Sequence, residues 1–343
     1  MSSLPTSRIL SSSQPQNLLN RPSSRLLLAI IATLLWGSAF PMVKLGYVNL
    51  GIEHSQTFTQ ILFAGYRFSG AGLFLLLLSS LVHRQTWRFS ADKLLRVVKV
   101  GSCQTFLQYI FFYLGLALAS GISSAIVASA APFFQLIIAH VLFADDKLSA
   151  RKAISAIIGF CGIGFYQVME YGWALHLGVG EALMLIAMLF SAYGNVLSKR
   201  NIRPGLPVLT LTAWQMLLGG AALTGVGAIK VGLMPWVWSA LSLILLTYLS
   251  ALSACAFLIW NTLMAHNRVS QISVFLFLIP IFGVSLSAII LGEALHWYVL
   301  RRRHRLSSSQ QNVTITPIQQ WIVKISIRDN GMTKTDKYVY TAL

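Results

Sequence analysis

Nine apolar stretches of roughly twenty residues fill most of the first 300 positions: 26–45, 57–82, 100–118, 122–143, 153–169, 178–198, 206–228, 237–259 and 271–292. At about 1.5 Å per residue, each is long enough as a helix to cross about 30 Å of hydrocarbon. Backbone groups in lipid must bond internally, so only helices and closed barrels span. A barrel would need alternating segments of about ten residues, which this chain lacks. The expectation is an all-α polytopic membrane protein with nine clear spans. Composition agrees, with 56% hydrophobic and 10% charged residues and a mean hydropathy of +0.69. Soluble domains carry about 25% charged residues.

The net charge of +17 would suggest nucleic acid in a soluble protein. Here the surplus lies in short connections. The N-terminal tail, 83–99, 145–152, 199–205 and 266–270 hold three, five, three, three and one Lys or Arg. The alternate set, 46–56, 119–121, 170–177 and 229–236, holds only Lys230. That bias predicts a cytoplasmic N-terminus and no nucleic-acid partner. Residues 1–25 are Ser-rich, with Arg8, Arg21 and Arg25 and no acidic residue. Their composition resembles an organellar transit peptide, but their amphipathicity is poor, so a polar cytoplasmic tail is the favoured reading. Cys103, Cys161 and Cys255 fall inside spans and read as buried free thiols, with no metal-site spacing and no disulfide framework.

The chain repeats itself at an offset of 147–148 residues. Tyr66-Arg67-Phe68 aligns with Trp214-Gln215-Met216, and Gly72 with Gly220. Ile122-Ser123 aligns with Val269-Ser270, and Asp146-Lys147-Leu148 with Glu293-Ala294-Leu295. A unit with an odd number of spans enters from the opposite face in its second copy, giving an inverted repeat. The expected organisation is a five-helix unit over 26–169 and an incomplete one over 178–298. Where another apolar helix should follow Glu293, residues 301–305 read Arg-Arg-Arg-His-Arg, and 301–343 is a basic, polar tail expected to be poorly ordered. A truncated or frame-shifted final helix is the simplest reading of that tail.

Arg67 is the sharpest candidate for chemistry, because it lies near the middle of a span. Even lenient insertion scales put such an arginine at about 2.5–3.5 kcal/mol. It should face a cavity, where it could bind a carboxylate; the alternative is a structural arginine bonded to helix carbonyls. Gln104, Gln108, Gln135, Asn195, Gln215 and Asn261 would be costly in lipid and should also turn inward. Tyr66, Tyr193, Trp214 and Trp260 could wall a cavity, although aromatics in helices more often pack or anchor. Glu181 and His140 are candidates for proton- or ion-linked roles. A helix cap suits Glu181 better, and packing suits His140 better. Gly37 and Pro41 loosen the first span or allow close packing. No catalytic motif is present: the chain lacks HExxH, a Gly-Lys-Ser/Thr phosphate loop and GxGxxG after a strand. Neither an enzyme nor a cofactor is expected.

Leu34-Leu35-Trp36-Gly37-Ser38-Ala39-Phe40-Pro41 and Phe63-Ala64-Gly65-Tyr66-Arg67-Phe68 resemble the EamA family of the drug/metabolite transporter superfamily. The stretch from Leu142 to Ser149 and Ile290-Leu291-Gly292-Glu293-Ala294-Leu295 resemble its helix-end signature, with Asp145-Asp146 replacing the usual Gly-Glu. The resemblance covers roughly residues 26–298. It implies a ten-helix bundle of two inverted repeats around a central cavity. It also implies a secondary transporter, an exporter of small organic metabolites working by alternating access. Arg67 and Gln215 would then face one cavity, together with Trp36, Gln104, Gln108, Tyr193, Asn195 and Trp214. A small solute and the lipid bilayer are the implied partners, and a homodimer stays open. The location is a plasma membrane, bacterial inner membrane foremost, with an organellar membrane as the alternative. The missing tenth helix keeps a second function class open, a non-transporting remnant or membrane scaffold.

Overall fold

The computed structural model describes residues 21–83, 90–119, 127–150, 178–202 and 206–291, with isolated positions at 152–154, 157–158, 160–162 and 165. Among these residues every regular element is helical. The first helix, α1, runs Pro22–Leu50, with proline at its first turn, where a missing N–H costs nothing. It continues through Pro41 and stops at Gly51, whose φ of 65° is the left-handed cap that glycine tolerates. Helix α2 spans Thr57–His83. Helix α3, Ala91–Gly101, passes through a π-helical turn at Ser102–Leu107 into α4, Gln108–Leu118. The apolar reading started this rod at residue 100 because Lys93, Arg96 and Lys99 keep its first turns polar.

Helix α5 is Ala131–Leu142, α6 is Val179–Ile202 and α7 is Val208–Val231. Helix α8, Ala240–His266, opens on a reciprocal capping box between Ser239 and Ser242. Helix α9, Val269–Ser273, runs through a 3-10 turn at Val274–Phe277 into α10, Leu278–Leu291. The protein is an all-α polytopic membrane protein. Among the described residues six helical stretches are long and apolar enough to span, the last being Val269–Leu291. The nine expected spans are not all established. A π turn interrupts the third, and parts of 122–143 and most of 153–169 lie outside the described residues. The tail 301–343 and residues 1–20 also lie outside them.

The centre of the bundle is the antiparallel pair α2–α7. A Cβ added at Gly65, Gly72, Gly220 or Gly227 would sit 2.4–2.7 Å from Thr224, Leu217, Ser69 or Leu62, respectively. All four contacts keep one register, in which paired residue numbers add to 289. Bare backbone at these positions lets the helices approach closely. Lipid supplies no hydrophobic drive for helix association, so such contact and interhelical hydrogen bonds hold the pair.

The packing follows the sequence repeat. An offset of 148 carries α1 onto α6, α2 onto α7, α3–α4 onto α8 and α5 onto α10. Accordingly α1 packs on α8 and α10, while α6 packs on α4 and α5. Likewise α2 packs on α8, while α7 packs on α3 and the π turn. With α2 and α7 antiparallel, these matched pairs are the packing of an inverted repeat. The interior holds Phe68, Tyr113, Met216 and Phe257 in one cluster, and Val196, Trp260, Met264 and Ile272 in another. Leu73, Leu77, Val141, Ile229, Ile244 and Ile289 face outward, as lipid permits.

Candidate functional site

Two polar centres lie inside the bundle, at different levels. The first crosses the half whose helix ends carry residues 91, 142, 202, 208, 266 and 269. Gln104, on the π turn, donates to Asn195 at 2.6 Å and to Asn261 at 3.3 Å. Asn195 donates to Gln135 (3.0 Å), and Gln135 donates to Ser273 (2.9 Å). Asn261 donates to Thr212 at 3.0 Å. These side chains are all buried, and they knit six helical segments from both halves of the chain. Gln104 Oε1 makes no hydrogen bond. A π turn inserts one extra residue per turn and is frequent at functional sites. Here it aims Gln104 and Thr105 at two different neighbours.

Thr105 donates to Gln215 Oε1 at 2.6 Å, while Gln215 Nε2 is buried without a partner. The second centre repeats this pair. Arg67 Nε donates to Ser253 Oγ at 2.7 Å. Subtracting 148 from Ser253 gives Thr105, and from Gln215 gives Arg67. The two hydrogen-bonded pairs are therefore the same contact in the two halves. Arg67 is 5% exposed, with its guanidinium 5.0 Å from the Phe68 ring centroid. The phenols of Tyr47, Tyr109 and Tyr113 lie within its electrostatic reach.

In the α2–α7 register Arg67 stands opposite Ala222, and Gln215 lies seven residues further along, about 10 Å. Arg67 and Gln215 thus occupy equivalent positions at separate levels. Trp36 is half-buried against Phe257 and Trp260, at centroid distances of 5.2 and 5.3 Å. Gly37 serves close packing, since a Cβ there would meet Phe282 Cβ at 2.5 Å.

Other candidates are placed elsewhere. Tyr193 is 39% exposed on the outer face of α6. It is two residues from the inward Asn195, which is more than half a helical turn away, so it does not wall the interior. Trp214 packs with Val97, Val100 and Leu211, to one side of Gln215. Gln108 is half-buried. Glu181 is buried and accepts the Gly178 N–H at 2.9 Å, a helix-start bond. His140 Nδ1 accepts the Leu148 N–H at 2.9 Å, which ties down the turn after α5. Cys103 is half-buried, and Cys161 and Cys255 are exposed, so the thiols are not buried as expected. A thiol is a small, weakly polar group, and lipid-facing surface accepts it readily.

Ser253 and Thr105 carried no sequence signal, whereas Asp146 sits at a helix end, where the sequence suggests turn, capping and salt-bridge roles. Ser253 and Thr105 are the hydroxyls that hold the two equivalent side chains. Lys199 is a second buried cation, donating to the Asn267 carbonyl and lying 5.4 Å from the Phe143 ring centroid. Asp146, in the turn after α5, accepts the Ser270 N–H (2.9 Å) and hydroxyl and pairs with Lys152 at 2.8 Å. It caps the start of α9 from the other half of the chain. Burial pushes its carboxyl up, but hydrogen bonds from Lys152 and Ser270 outweigh that and hold it below its ordinary value. No cluster of three metal-ligating side chains occurs among the described residues.

Comparison with known proteins agrees with this architecture. A profile of the EamA-like transporter family matches residues 23–166 and again 178–300. An uncharacterized transporter of Archaeoglobus fulgidus is 24% identical over 283 residues, covering 79% of this chain and 91% of that protein. A crystal structure of a protein 18% identical superposes with a TM-score of 0.63, covering 79% of this chain and 91% of that one, and bears on the fold alone. With both halves matched, the chain belongs to the EamA-like transporter family.

Proposed function

We propose that this integral membrane transporter exports small organic metabolites by alternating access, through the seam between its two inverted halves. The observation that carries the reading is the matched pair Arg67–Ser253 and Thr105–Gln215. Each places a polar side chain on the central helix pair, at mirrored depths in an apolar bundle. Two equivalent half-sites suit a pathway opened first from one side and then from the other. Buried polar groups in lipid are expensive and tend to mark solute paths. The amide network and the Asp146 clamp close the end bearing the basic connections, which we take as cytoplasmic from the charge bias. The plasma membrane is the proposed location.

The test is protein-dependent solute release. Proteoliposomes loaded with a small-metabolite extract should lose particular solutes faster than protein-free vesicles, as read by mass spectrometry of the external medium. Identical release from vesicles holding folded, inserted protein would overturn the reading. That result would favour a scaffold without transport, the alternative raised by the Arg-rich sequence at 301–305.

A further inference from the structure

We infer that Arg67 anchors the charged group of the solute, and that the solute is a small monocarboxylate with an apolar or aromatic body. The inference rests on the transporter reading above and adds a substrate class to it.

A guanidinium has five N–H donors, and Arg67 spends only the one on Nε, to Ser253. Among the described residues its two Nη groups have no hydrogen-bond partner and no carboxylate pairs with it. A structural arginine in a bundle satisfies its donors on helix carbonyls. Lys199 does this with the Asn267 carbonyl, and Arg67 does not. The repeat supplies a control within the molecule. At the equivalent position the same interhelical contact is made by Gln215, which is neutral. Packing and hydrogen bonding at this position therefore need no charge, and the cation in the first half is left for something else.

The surroundings narrow the ligand. Phe68 lies against Tyr109 with centroids 4.4 Å apart, Tyr109 and Tyr113 are 6.3 Å apart, and Phe68 and Phe257 are also 6.3 Å apart. These rings favour an apolar or aromatic body beside the charge. A free guanidinium edge takes a carboxylate through two parallel hydrogen bonds. A dianionic phosphate would call for further positive charge, and Arg67 is the cation among these rings.

The probes are benzoate, phenylacetate and 4-methylpentanoate, each beside its neutral amide, with phenyl phosphate as the dianion. Thermal unfolding of the purified protein should rise saturably with the carboxylates and stay unchanged with the amides and the phosphate. Arg67→Gln, which copies the other half, should weaken the carboxylate response at least tenfold. Arg67→Lys should fall between, because the charge stays and the fork is lost. Equal responses to acids and amides overturn the inference, as does an undiminished response in Arg67→Gln. Should that variant fail to fold, the acid–amide comparison on the unaltered protein decides alone. Counterflow of benzoate into proteoliposomes separates the two readings. Carboxylate binding without counterflow supports the anion site and contradicts transport. Protein-dependent release of neutral or cationic solutes, with no response to the acids, does the reverse.

Discussion

At the scale of single residues, hydrogen-bond partners decide what a polar side chain in lipid can be. Asp146 shows this at a helix end. Its carboxylate takes the Ser270 N–H and hydroxyl and the Lys152 ammonium, and so joins the turn after α5 to the first turn of α9. Negative charge at a helix start is favourable in its own right. Because the folded carboxyl sits below the ordinary value of 3.8, the clamp contributes fully at pH above about 5. Its contribution fades as pH falls through the lower folded value. Asp146→Asn should cost about 1–3 kcal/mol near pH 7, and its stability should fall less than the unaltered protein's between pH 5 and pH 3. Melting temperatures across that range give the check, and parallel curves would contradict it. The cost of polar groups in lipid made Arg67, Gln104, Asn195 and Gln215 legible in the sequence. Ser253 was silent because its hydroxyl also bonds the Leu249 carbonyl one turn back, at 2.7 Å, so serine in a lipid-spanning helix raises no alarm. Tyr193 misled because an aromatic at a span's centre suits an interior wall and a lipid-facing surface equally.

At the scale of elements, the α2–α7 pair sets the geometry, and its glycines are the reason. Gly72 faces the Leu217 backbone nitrogen, where an added Cβ would lie at 2.5 Å, and Gly220 faces the Ser69 backbone nitrogen at 2.4 Å. Backbone cannot step aside as a flexible side chain can. Gly72→Ala and Gly220→Ala should each destabilise by about 1–3 kcal/mol through overpacking. Gly225, on the same helix α7 with open space at its Cβ, should accept alanine with no loss. Melting of the three variants in one detergent tests this, and equal behaviour would remove the seam from the account. The spacing of these glycines is plain in the sequence, but their partners are not, since a single helix does not show its register against another. The rod containing α3 and α4 extends beyond its apolar stretch for a related reason. Hydropathy reports contact with lipid, whereas Ala91–Lys99 is helical and amphipathic at the bundle's polar end.

At the scale of the molecule, one offset of 148 residues relates helix boundaries, helix pairs and hydrogen bonds. The offset was legible as scattered matches along the chain. Its meaning came from packing, where α1 on α8 mirrors α6 on α4. The Val269–Leu291 stretch has only 11% of its most apolar window buried, the least of the six. The central claim is that the two halves separate at the basic end to expose the amide network. In a background lacking Cys103, Cys161 and Cys255, a cysteine replacing Gln104 reports on that opening through a membrane-impermeant thiol reagent applied from the basic side. Asp146→Cys with Ser270→Cys, oxidised before labelling, ties the halves together. The account predicts labelling at position 104 without the tie, protection with it, and recovery on reduction. Labelling at equal rates in tied and untied protein would contradict it.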